Sequence, residues 1–376
     1  MIMNSYTIND TIINISGLNI NFDSSMNYIN ETLRNYIHNI KLEIEPIIFA
    51  WEKNKKYSNP YEFINMSYDS NTIPICNYKP ISRAFFKMIE ILNNFNFSFN
   101  KDIESFHLAE GPGGFIEALQ YVRDNPNDKY YGMTLMVGDK DVPKWDKSNY
   151  YLNKNPNIII EKGADGTGNL YNIDNLKYIY NNFKHTKDFI TGDGGFDFSI
   201  DFNKQEETSL NLIFAEICFA IILQKKGGSF VLKVFDTFTS CSIELLYLLS
   251  YLYETVHITK PLPSRPANSE KYIVCTNFKM VNNINDIYVN IFEHFHKIKT
   301  NNLSSILNIS ISNHFLDKIK EINSIFGQTQ IENILNIINY TMDDKNDKQE
   351  QLKKSHLSKC IKWCKRNNLP INDIYL

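Results

Sequence analysis

The chain has 376 residues, of which 43% are hydrophobic and 13% aromatic. This composition supplies a large core and favours one catalytic domain with additions over several small modules. The formal net charge is -3 at pH 7. That balance excludes a protein that coats nucleic acid through a broad basic surface, whereas a local basic groove stays compatible with it.

Cysteine placement and hydropathy exclude two further classes. The six cysteines are scattered, without a CxxC pair or a Cys/His spacing that holds zinc, so we expect reduced thiols and no metal. The first residues lack the basic and apolar regions of a secretory signal. The longest apolar runs, Ile217 to Leu223 and Leu245 to Leu252, are shorter than the ~20 residues of a membrane span. We therefore expect an intracellular protein with no membrane partner.

In chain order, the predicted elements alternate between strands and helices. An arm is followed by a helix from Ser25 to Trp51, and residues 285–376 are helix-like and polar. Between these flanks the prediction is strand Ile103 to Ala109, helix Gly114 to Arg123, strand Asn157 to Glu161, helix Ile173 to Phe183, strand Asp188 to Thr191, helix Glu206 to Gln224 and strand Ser229 to Phe235. Such a series predicts a doubly wound α/β sheet, which binds ligands at the carboxyl ends of its strands.

Eleven of the 15 glycines lie in four clusters, EGPGG, GADGTG, GDGG and KKGG, each beside a predicted strand. In FHLAEGPGGFIEAL the glycine turn joins a strand to a helix, so backbone approaches a ligand there and a nucleoside cofactor is implied. Pro112 stiffens this turn. Tight packing alone is the alternative interpretation. A dinucleotide is disfavoured, because the spacing is not G-x-G-x-x-G.

Five ordered motifs resemble the FtsJ-like ribose 2′-O-methyltransferases: SRAFFKMIEI (82–91), EGPGGF (110–115), ITGDGGFDFS (190–199), GGSFVLKVFD (227–236) and SRPANSEKYIVC (264–275). NPYEF, YGMTL and DGTGNL are similar, more specifically, to eukaryotic cap-specific mRNA nucleoside 2′-O-methyltransferases. The resemblance implies a Rossmann-like α/β fold with a mostly parallel seven-stranded sheet flanked by helices, and S-adenosylmethionine as cofactor. It also implies an N-terminal arm and helix (1–56), a methyltransferase domain (57–284) and a helical C-terminal extension that packs on it (285–376).

The family works with a Lys-Asp-Lys-Glu tetrad, and the matching positions are Lys87, Asp193, Lys233 and Glu270. A ribose 2′-hydroxyl is a poor nucleophile, so an amine has to accept its proton while the methyl group is transferred. The resemblance assigns Lys233 as this base. We expect Lys87 and burial to lower the pKa of Lys233, and Asp193 and Glu270 to orient the two lysines, without a metal.

Each tetrad residue also has a structural interpretation. Lys87 on an amphipathic helix and Glu270 in a loop are most often solvated, and Asp193 between glycines is able to cap a turn. Lys233 differs, because it interrupts an apolar run on a strand predicted to be buried on both faces, where an unpaired charge is costly. The occurrence of all four in the family order favours the catalytic interpretation.

For the cofactor, the resemblance implies a methionine site at Glu110, Gly111, Pro112, Gly113, Gly114 and Phe115, an adenosine site at Thr134, Leu135 and Asp165, and a contact with Asp193. The alternative for Asp165 is an Asx-turn. Relatives often have Asp where this chain has His107, and we expect His107 to brace the turn while Glu110 takes over the polar contact.

A capped RNA end presents a cationic base and phosphates, which favour aromatic or acidic residues and basic residues respectively. The candidates are Lys55, Tyr57, Glu206, Arg265 and Asn268. Glu206 is predicted to neutralise the charge of the cationic base, while Arg265 and Asn268 are predicted to hold the RNA backbone. The alternative for Arg265 is a solvated loop.

The sequence thus predicts a cap-dependent mRNA ribose 2′-O-methyltransferase that modifies the first transcribed nucleotide. Its expected partners are the capped 5′ end of mRNA and other capping or transcription proteins. Its expected location is the nucleus or cytoplasm, or a virion or viral factory for a viral source. The alternatives are a ribosomal or transfer RNA methyltransferase, a cap 2-type enzyme, a non-catalytic RNA-binding subunit and, more distantly, an NAD-dependent oxidoreductase.

Overall fold

A computed structural model of the chain describes residues 3–9, 15–67, 72–136, 144–196, 202–342 and 346–376, without the side chains of residues 53, 56–58, 202 and 346–350. Its strands are β1 (Asn4–Thr7), β2 (Asn21–Phe22), β3 (Glu104–Leu108), β4 (Lys129–Met133), β5 (Ile158–Ile160), β6 (Lys187–Gly192), β7 (Gln224–Val234), β8 (Tyr253–Lys260), β9 (Lys271–Phe278) and β10 (Leu303–Ser305). Its helices are α1 (Glu31–Leu42), α2 (Ile48–Ser58), α3 (Ala84–Asn94), α4 (Gly114–Arg123), α5 (Asn149–Lys154), α6 (Ile173–Phe183), α7 (Gln205–Leu223), α8 (Ser240–Leu252), α9 (Ile284–His294), α10 (Asn313–Met342) and α11 (Asn346–Arg366).

Eight of these strands form one central sheet in the order β1-β8-β9-β7-β6-β3-β4-β5. The pairs from β7 to β5 are parallel, whereas β9 runs antiparallel to both β7 and β8. The predicted α/β class with a mostly parallel sheet flanked by helices is confirmed. The sheet has one strand more than the predicted seven, because β1 pairs antiparallel with the edge strand β8.

Helices cover both faces of the sheet, and successive side chains along each strand point alternately to one face and to the other. On β6 and β7, Ile190, Phe230 and Leu232 pack in the cluster with α6, α7 and α8, whereas Phe189 and Val231 pack in the cluster with α3 and α4. A strand covered on both faces carries apolar residues without interruption. This explains why Ser229 to Phe235 has the composition of a buried strand.

The predicted helices Gly114 to Arg123 and Ile173 to Phe183 have the same bounds in the structure. Gly113, at φ +112°, starts the first of them, and Asp124, in the left-handed region, ends it. The second begins at Asn172, whose side chain accepts a hydrogen bond from the backbone N–H of Asp174. These are typical signals for helix ends.

The prediction of one helix from Ser25 to Trp51 is wrong. The structure has α1 and α2 instead, separated by a 3-10 turn that contains Pro46. Proline lacks a backbone N–H and its ring clashes with the preceding helical turn, so a continuous helix through position 46 is disfavoured.

The two C-terminal helices, α10 and α11, pack into the hydrophobic cores on the two faces of the sheet. Phe315 and Ile319 of α10 pack in the cluster of α7 and α8. Cys360, Trp363 and Cys364 of α11 pack in the cluster of α3 and α4. A third cluster joins α1, α2 and α10 through residues such as Ile37, Trp51 and Ile334.

All six cysteines are buried as free thiols. Across the described ranges, no group of three or more His, Cys, Asp or Glu side chains has a geometry that would hold a metal ion. In the same ranges, no helix has the length and apolar composition needed to cross a membrane.

The DGTG turn provides a test of the fold with a matched control. Gly166 and Gly168 both have positive φ, but a Cβ at Gly168 would lie 2.0 Å from the carbonyl oxygen of Thr134, whereas a Cβ at Gly166 would meet nothing within 4 Å. We expect Gly166→Ala to cost about 1–2 kcal/mol of unfolding free energy, the price of a left-handed alanine. Gly168→Ala adds a steric clash and should cost clearly more in urea unfolding. Equal losses would contradict the packing of this turn on Thr134.

Candidate active site

The candidate site lies where the strand order reverses. After β3 the chain continues to β4 and β5 on one side, and β6 and β7 then add on the other side of β3. The turns after β3 and β6 lead to α4 and α7 on opposite faces of the sheet, and in open α/β sheets such a reversal leaves a ligand-binding crevice at the carboxyl edge. The two turns are tied together by a hydrogen bond of 3.2 Å from the backbone N–H of Asp193 to the carbonyl of Leu108.

The turn after β3 brings backbone close to its surroundings. A Cβ at Gly113 would lie 3.2 Å from the ring of Trp145, and one at Gly114 would lie 2.2 Å from Oγ of Ser82. The buried Glu110 accepts hydrogen bonds at Oε1 from the N–H groups of Phe115 (2.7 Å) and Ile116 (3.1 Å), at the first turn of α4. Burial, assisted by the charge of Asp193, raises the pKa of Glu110 well above its usual value.

His107 lies on β3, directly below this turn. Its ring is fully buried, with Nε2 2.9 Å from Oγ of Ser105 and Nδ1 2.8 Å from Oγ1 of Thr191 on β6. Burial lowers the pKa of His107 to about 3, so the ring is neutral. The side chain links β3 to β6 and so braces the strands that carry the two turns, as expected.

The first of two ion pairs joins Lys87 on α3 to Glu270, just before β9. Nζ of Lys87 lies 2.8 Å from Oε1 and 2.9 Å from Oε2 of Glu270. Ser264 also donates to Oε1 at 2.9 Å. Burial alone would raise the pKa of Glu270, but the ammonium groups of Lys87 and Lys233 outweigh it and hold the pKa far below its usual range.

The second ion pair joins Lys233 on β7 to Asp193, at the end of β6. Nζ of Lys233 lies 3.1 Å from Oδ1 of Asp193 and donates a hydrogen bond of 2.7 Å to the backbone oxygen of the same residue. A Cβ at Gly195 would lie only 3.1 Å from Nζ of Lys233, so this glycine leaves room for the amine. The structure thus brings all four predicted tetrad residues together in two adjacent pairs.

The electrostatics correct one expectation. Burial acts to lower the pKa of Lys233, but the carboxylates of Asp193 and Glu270 outweigh burial and raise that pKa above the usual lysine value. The expected lowering toward neutral pH is therefore wrong for this structure. The reason is geometric: each lysine has a carboxylate as its nearest charged partner, and not the other ammonium.

The predicted adenosine residues lie in the turns that follow β4 and β5. The DGTG turn packs on the end of β4, where Gly168 leaves room for the carbonyl of Thr134 and the N–H of Met136 donates to Thr167 at 2.7 Å. Oδ1 of Asp165 accepts from the backbone N–H and the hydroxyl of Thr167, at 2.9 and 2.7 Å. Asp165 thus forms the Asx-turn considered as its alternative role, and its contact with adenine stays a prediction.

The residues of the crevice fit the implied S-adenosylmethionine. Oδ1 of Asp193 is buried and has the ammonium group of Lys233 3.1 Å away; a carboxylate oxygen accepts more than one hydrogen bond, so acceptor capacity remains for a ligand donor. The glycine turn after β3 lies at a strand end, where nucleoside cofactors bind in such sheets, while Gly113 and Gly114 themselves are buried against Trp145 and Ser82. Glu110, Gly111, Pro112, Gly113, Gly114 and Phe115 would hold the methionine portion, and Thr134, Leu135 and Asp165 the adenosine.

Comparison with known families decides the class. The model of the FtsJ-like methyltransferases matches residues 80–278, which are just over half of the chain. The chain belongs to the FtsJ-like methyltransferase family. Members of this family use S-adenosylmethionine, so the cofactor predicted from the sequence is confirmed.

Curated relatives of this FtsJ-like methyltransferase include two cap enzymes. A "cap-specific mRNA (nucleoside-2′-O-)-methyltransferase 2" of Drosophila melanogaster is 30% identical over 219 residues, which cover 53% of this chain and 30% of that protein. A "cap-specific mRNA (nucleoside-2′-O-)-methyltransferase 1" of Leishmania braziliensis is 36% identical over 184 residues, which cover 47% of this chain and 45% of that protein. The chain thus spans less than half the length of either relative.

Among solved structures, a ribosomal RNA methyltransferase of Plasmodium falciparum has a TM-score of 0.38 and 24% identity to this chain. The match covers 52% of this chain and 97% of that one.

A positively charged cluster borders the tetrad of this FtsJ-like methyltransferase. The fully buried Glu62 accepts hydrogen bonds at Oε1 from Arg83 (2.6 Å) and Arg265 (2.7 Å). Arg83 directly precedes α3, which carries Lys87, and Arg265 lies in the loop that leads to Glu270. Two guanidinium groups on one carboxylate leave a net positive charge, and Arg265 is one-third exposed. This arrangement is compatible with the predicted contact between Arg265 and an RNA phosphate.

The assignment of Glu206 to the cap is corrected by the structure. Its carboxylate is buried and accepts four hydrogen bonds from Phe238 N, Thr239 N, Thr239 Oγ1 and Ser242 Oγ, between 2.7 and 3.0 Å. These donors belong to the start of α8 and the residues before it. Glu206 therefore stabilises a helix end in the interior and does not present its charge to a cationic base.

The other predicted cap residues have internal contacts. Lys55 on α2 pairs with Glu52, one turn earlier. Oδ1 of Asn268 accepts from Lys260 at 2.7 Å. The side chain of Tyr57 lies outside the described residues. The RNA contacts of these residues stay predictions.

Two polar residues beside the tetrad escaped the sequence analysis. Lys260, at the end of β8, donates at 2.7 Å to the backbone oxygens of Asn268 and Glu270, and burial lowers its pKa to about 7. Glu216 on α7 is fully buried below the GDGG turn. Glu216 interrupts the apolar run LNLIFAEICFAIIL (210–223), which is the same signal that identified Lys233. Lys260 gave no such signal, because it ends an ordinary strand.

The Lys87–Glu270 pair predicts a pH-dependent stability difference. The folded pKa of Glu270 lies below the ordinary value of 4.5, so its ionised form contributes stability above pH 4.5 that is lost as the pH falls. We expect Glu270→Gln to be less stable than wild type at pH 7, by urea unfolding. The gap should begin to narrow once the pH drops below about 4.5. A gap that stays constant from pH 7 to pH 3.5 would mean that the charge of Glu270 contributes nothing.

Proposed function

We propose that this FtsJ-like methyltransferase is a cap-dependent mRNA ribose 2′-O-methyltransferase that modifies the first transcribed nucleotide. The observation that carries the proposal is the meeting of two partly buried ion pairs, Lys87–Glu270 and Lys233–Asp193, at the carboxyl edge of the sheet, where β6 and β7 end and β9 begins. Ammonium groups that are largely withdrawn from solvent require compensation, and a site that collects two of them beside the predicted cofactor turn is suited to proton transfer.

In the proposed reaction, the ribose 2′-oxygen forms the new O–C bond and its proton passes to Nζ of Lys233. S-adenosylmethionine supplies the methyl carbon, retains the electron pair of the broken C–S bond, and brings a sulfonium charge that disfavours the ammonium form of a nearby lysine. Asp193 orients Lys233 through two contacts, and Glu270 does the same for Lys87. The chain's own residues thus position one amine for the proton.

Capped mRNA is proposed as substrate because of the names of the relatives. Two relatives named methyltransferase 1 and one named methyltransferase 2 match this chain at 30–36% identity. All three are called cap-specific mRNA (nucleoside-2′-O-)-methyltransferases. The net positive cluster of Arg83 and Arg265 around Glu62 borders the tetrad and would favour the phosphates of a capped end. Action on mRNA implies a nuclear or cytoplasmic location, or a viral compartment for a viral source, with other capping or transcription proteins as partners.

Removal of the proposed base provides a direct test. We expect Lys233→Ala to lower the rate of methyl transfer by at least about 100-fold, since general-base catalysis contributes about 10²–10⁴-fold. Binding of S-adenosylmethionine, measured by calorimetry, should change little. The matched control is Lys226→Ala, an exposed lysine on the same strand. Normal turnover by Lys233→Ala would remove Lys233 as the base.

The substrate is tested with labelled S-adenosylmethionine and RNAs of identical sequence with a methylated cap, an unmethylated cap or a 5′-triphosphate. We expect label only in capped RNA, and nuclease mapping should assign it to the ribose of the first nucleotide. Label at the second nucleotide would indicate a cap 2-type enzyme. Equal labelling of uncapped RNA would indicate a ribosomal or transfer RNA enzyme, and no labelling would favour a non-catalytic RNA-binding subunit.

A further inference from the structure

A carboxyl group outside the four tetrad residues lies beside them. Glu216, in the middle of α7, is fully buried, and its Oε1 accepts a hydrogen bond of 2.9 Å from the backbone N–H of Gly194. Gly194 directly follows Asp193, so this bond fixes the turn from which Asp193 reaches Lys233. The resemblance that identifies the tetrad assigns no role to position 216.

The glycines of the GDGG turn are shaped around this side chain. A Cβ at Gly192 would lie 3.0 Å from Cδ of Glu216, and one at Gly194 would lie 2.7 Å from its Oε1. Both distances are shorter than ordinary van der Waals contacts. The turn therefore closes on the carboxyl group of Glu216 only because residues 192 and 194 lack side chains.

The surroundings of Glu216 differ from those of the tetrad carboxylates. Asp193 and Glu270 each have a lysine ammonium within 3.1 Å. Within the described part of the chain, Glu216 has no ion-pair partner, and its Oε2 is buried without a hydrogen bond. An isolated buried carboxylate is costly by many kcal/mol, and such groups take up a proton instead.

We propose that Glu216 is a positioning residue that acts as a neutral carboxyl group: Oε1 holds the GDGG turn so that Asp193 meets Lys233, while the missing negative charge lets Lys233 give up its proton. This inference rests on Lys233 as the base of the proposed function. Glu216 would then be a fifth residue that supports the reaction. The GDGG turn requires its oxygen as a hydrogen-bond acceptor, whereas a negative charge on the same group would hinder proton loss from Lys233.

The ionisable groups that face Glu216 support this division. Burial raises the pKa of Glu216 to about 8, a shift that Lys233 opposes and Asp193 assists. Tyr171, before α6, is the third titratable neighbour, and burial together with the charge of Glu216 raises the pKa of its phenol. In return, ionised Glu216 adds to the effect of Asp193 and Glu270 in raising the pKa of Lys233. A charge at Glu216 therefore retains the proton on Lys233.

Two substitutions distinguish the acceptor from the charge. Glu216→Gln keeps an oxygen for Gly194 N–H and is never charged, whereas Glu216→Leu removes the acceptor. We expect the ratio of methyl-transfer rates, Gln variant over wild type, to rise about 3- to 10-fold between pH 7 and pH 9, which corresponds to a shift of half to one unit in the pKa of Lys233. Glu216→Leu should lower kcat at every pH. A Gln-to-wild-type ratio that is flat with pH, or a Leu variant as fast as the Gln variant, overturns the proposal.

A second measurement needs no activity. Because the folded pKa of Glu216 is raised above 4.5, the stability contributed by its protonated form is lost as the pH rises through about 8. The difference in Tm, Glu216→Gln minus wild type, should therefore increase between pH 5 and pH 8.5, by about 2 °C or more. A constant difference overturns the neutral state of Glu216, whatever the enzyme's substrate. Wild type that methylates no RNA but shows the Tm trend would instead count against the proposed function alone.

Discussion

Lys233 carries an ammonium group into a sheet that helices cover on both faces, and this charge has to be compensated inside the protein. Asp193 compensates it from the neighbouring strand, with an ion pair of 3.1 Å and a backbone contact of 2.7 Å. The same requirement applies to Lys87, which Glu270 compensates. Since breaking either of these partly buried pairs leaves an uncompensated charge, the positions of α3, β6, β7 and the loop before β9 are coupled to one another.

Much of this arrangement follows from sequence patterns. Strand-turn-helix units and glycine clusters predict the sheet, its ligand-binding edge and the bounds of α4 and α6, because caps and left-handed residues are local signals. Lys233 is recognisable because a charge in an apolar strand needs a partner. The identity of that partner required the resemblance, since Asp193 is 40 residues earlier in the chain.

Other features depend on contacts that sequence patterns do not contain. The direction of the pKa shift of Lys233 depends on which charge is nearest, and only the folded chain determines that two carboxylates outweigh burial. Glu206 lies near the start of a helix, where an acidic residue is usually exposed, yet in the folded chain it is buried and accepts hydrogen bonds from the start of α8 and the residues before it. Pro46 lies inside the helix predicted from Ser25 to Trp51, and a proline at that position is a local signal for the break between α1 and α2.

The end of α11 and the residues that follow it pack against α3, the helix that carries Lys87. Trp363 packs edge to face against Phe86, with ring centroids 6.0 Å apart, while Asn367 accepts from Asn93 and Arg366 donates to Asn94 at the end of α3. The family model ends at residue 278, far short of these contacts. The boundary of sequence similarity is therefore not a boundary of folding, and a fragment trimmed to residues 80–278 would strip the apolar backing from the helix that presents Lys87.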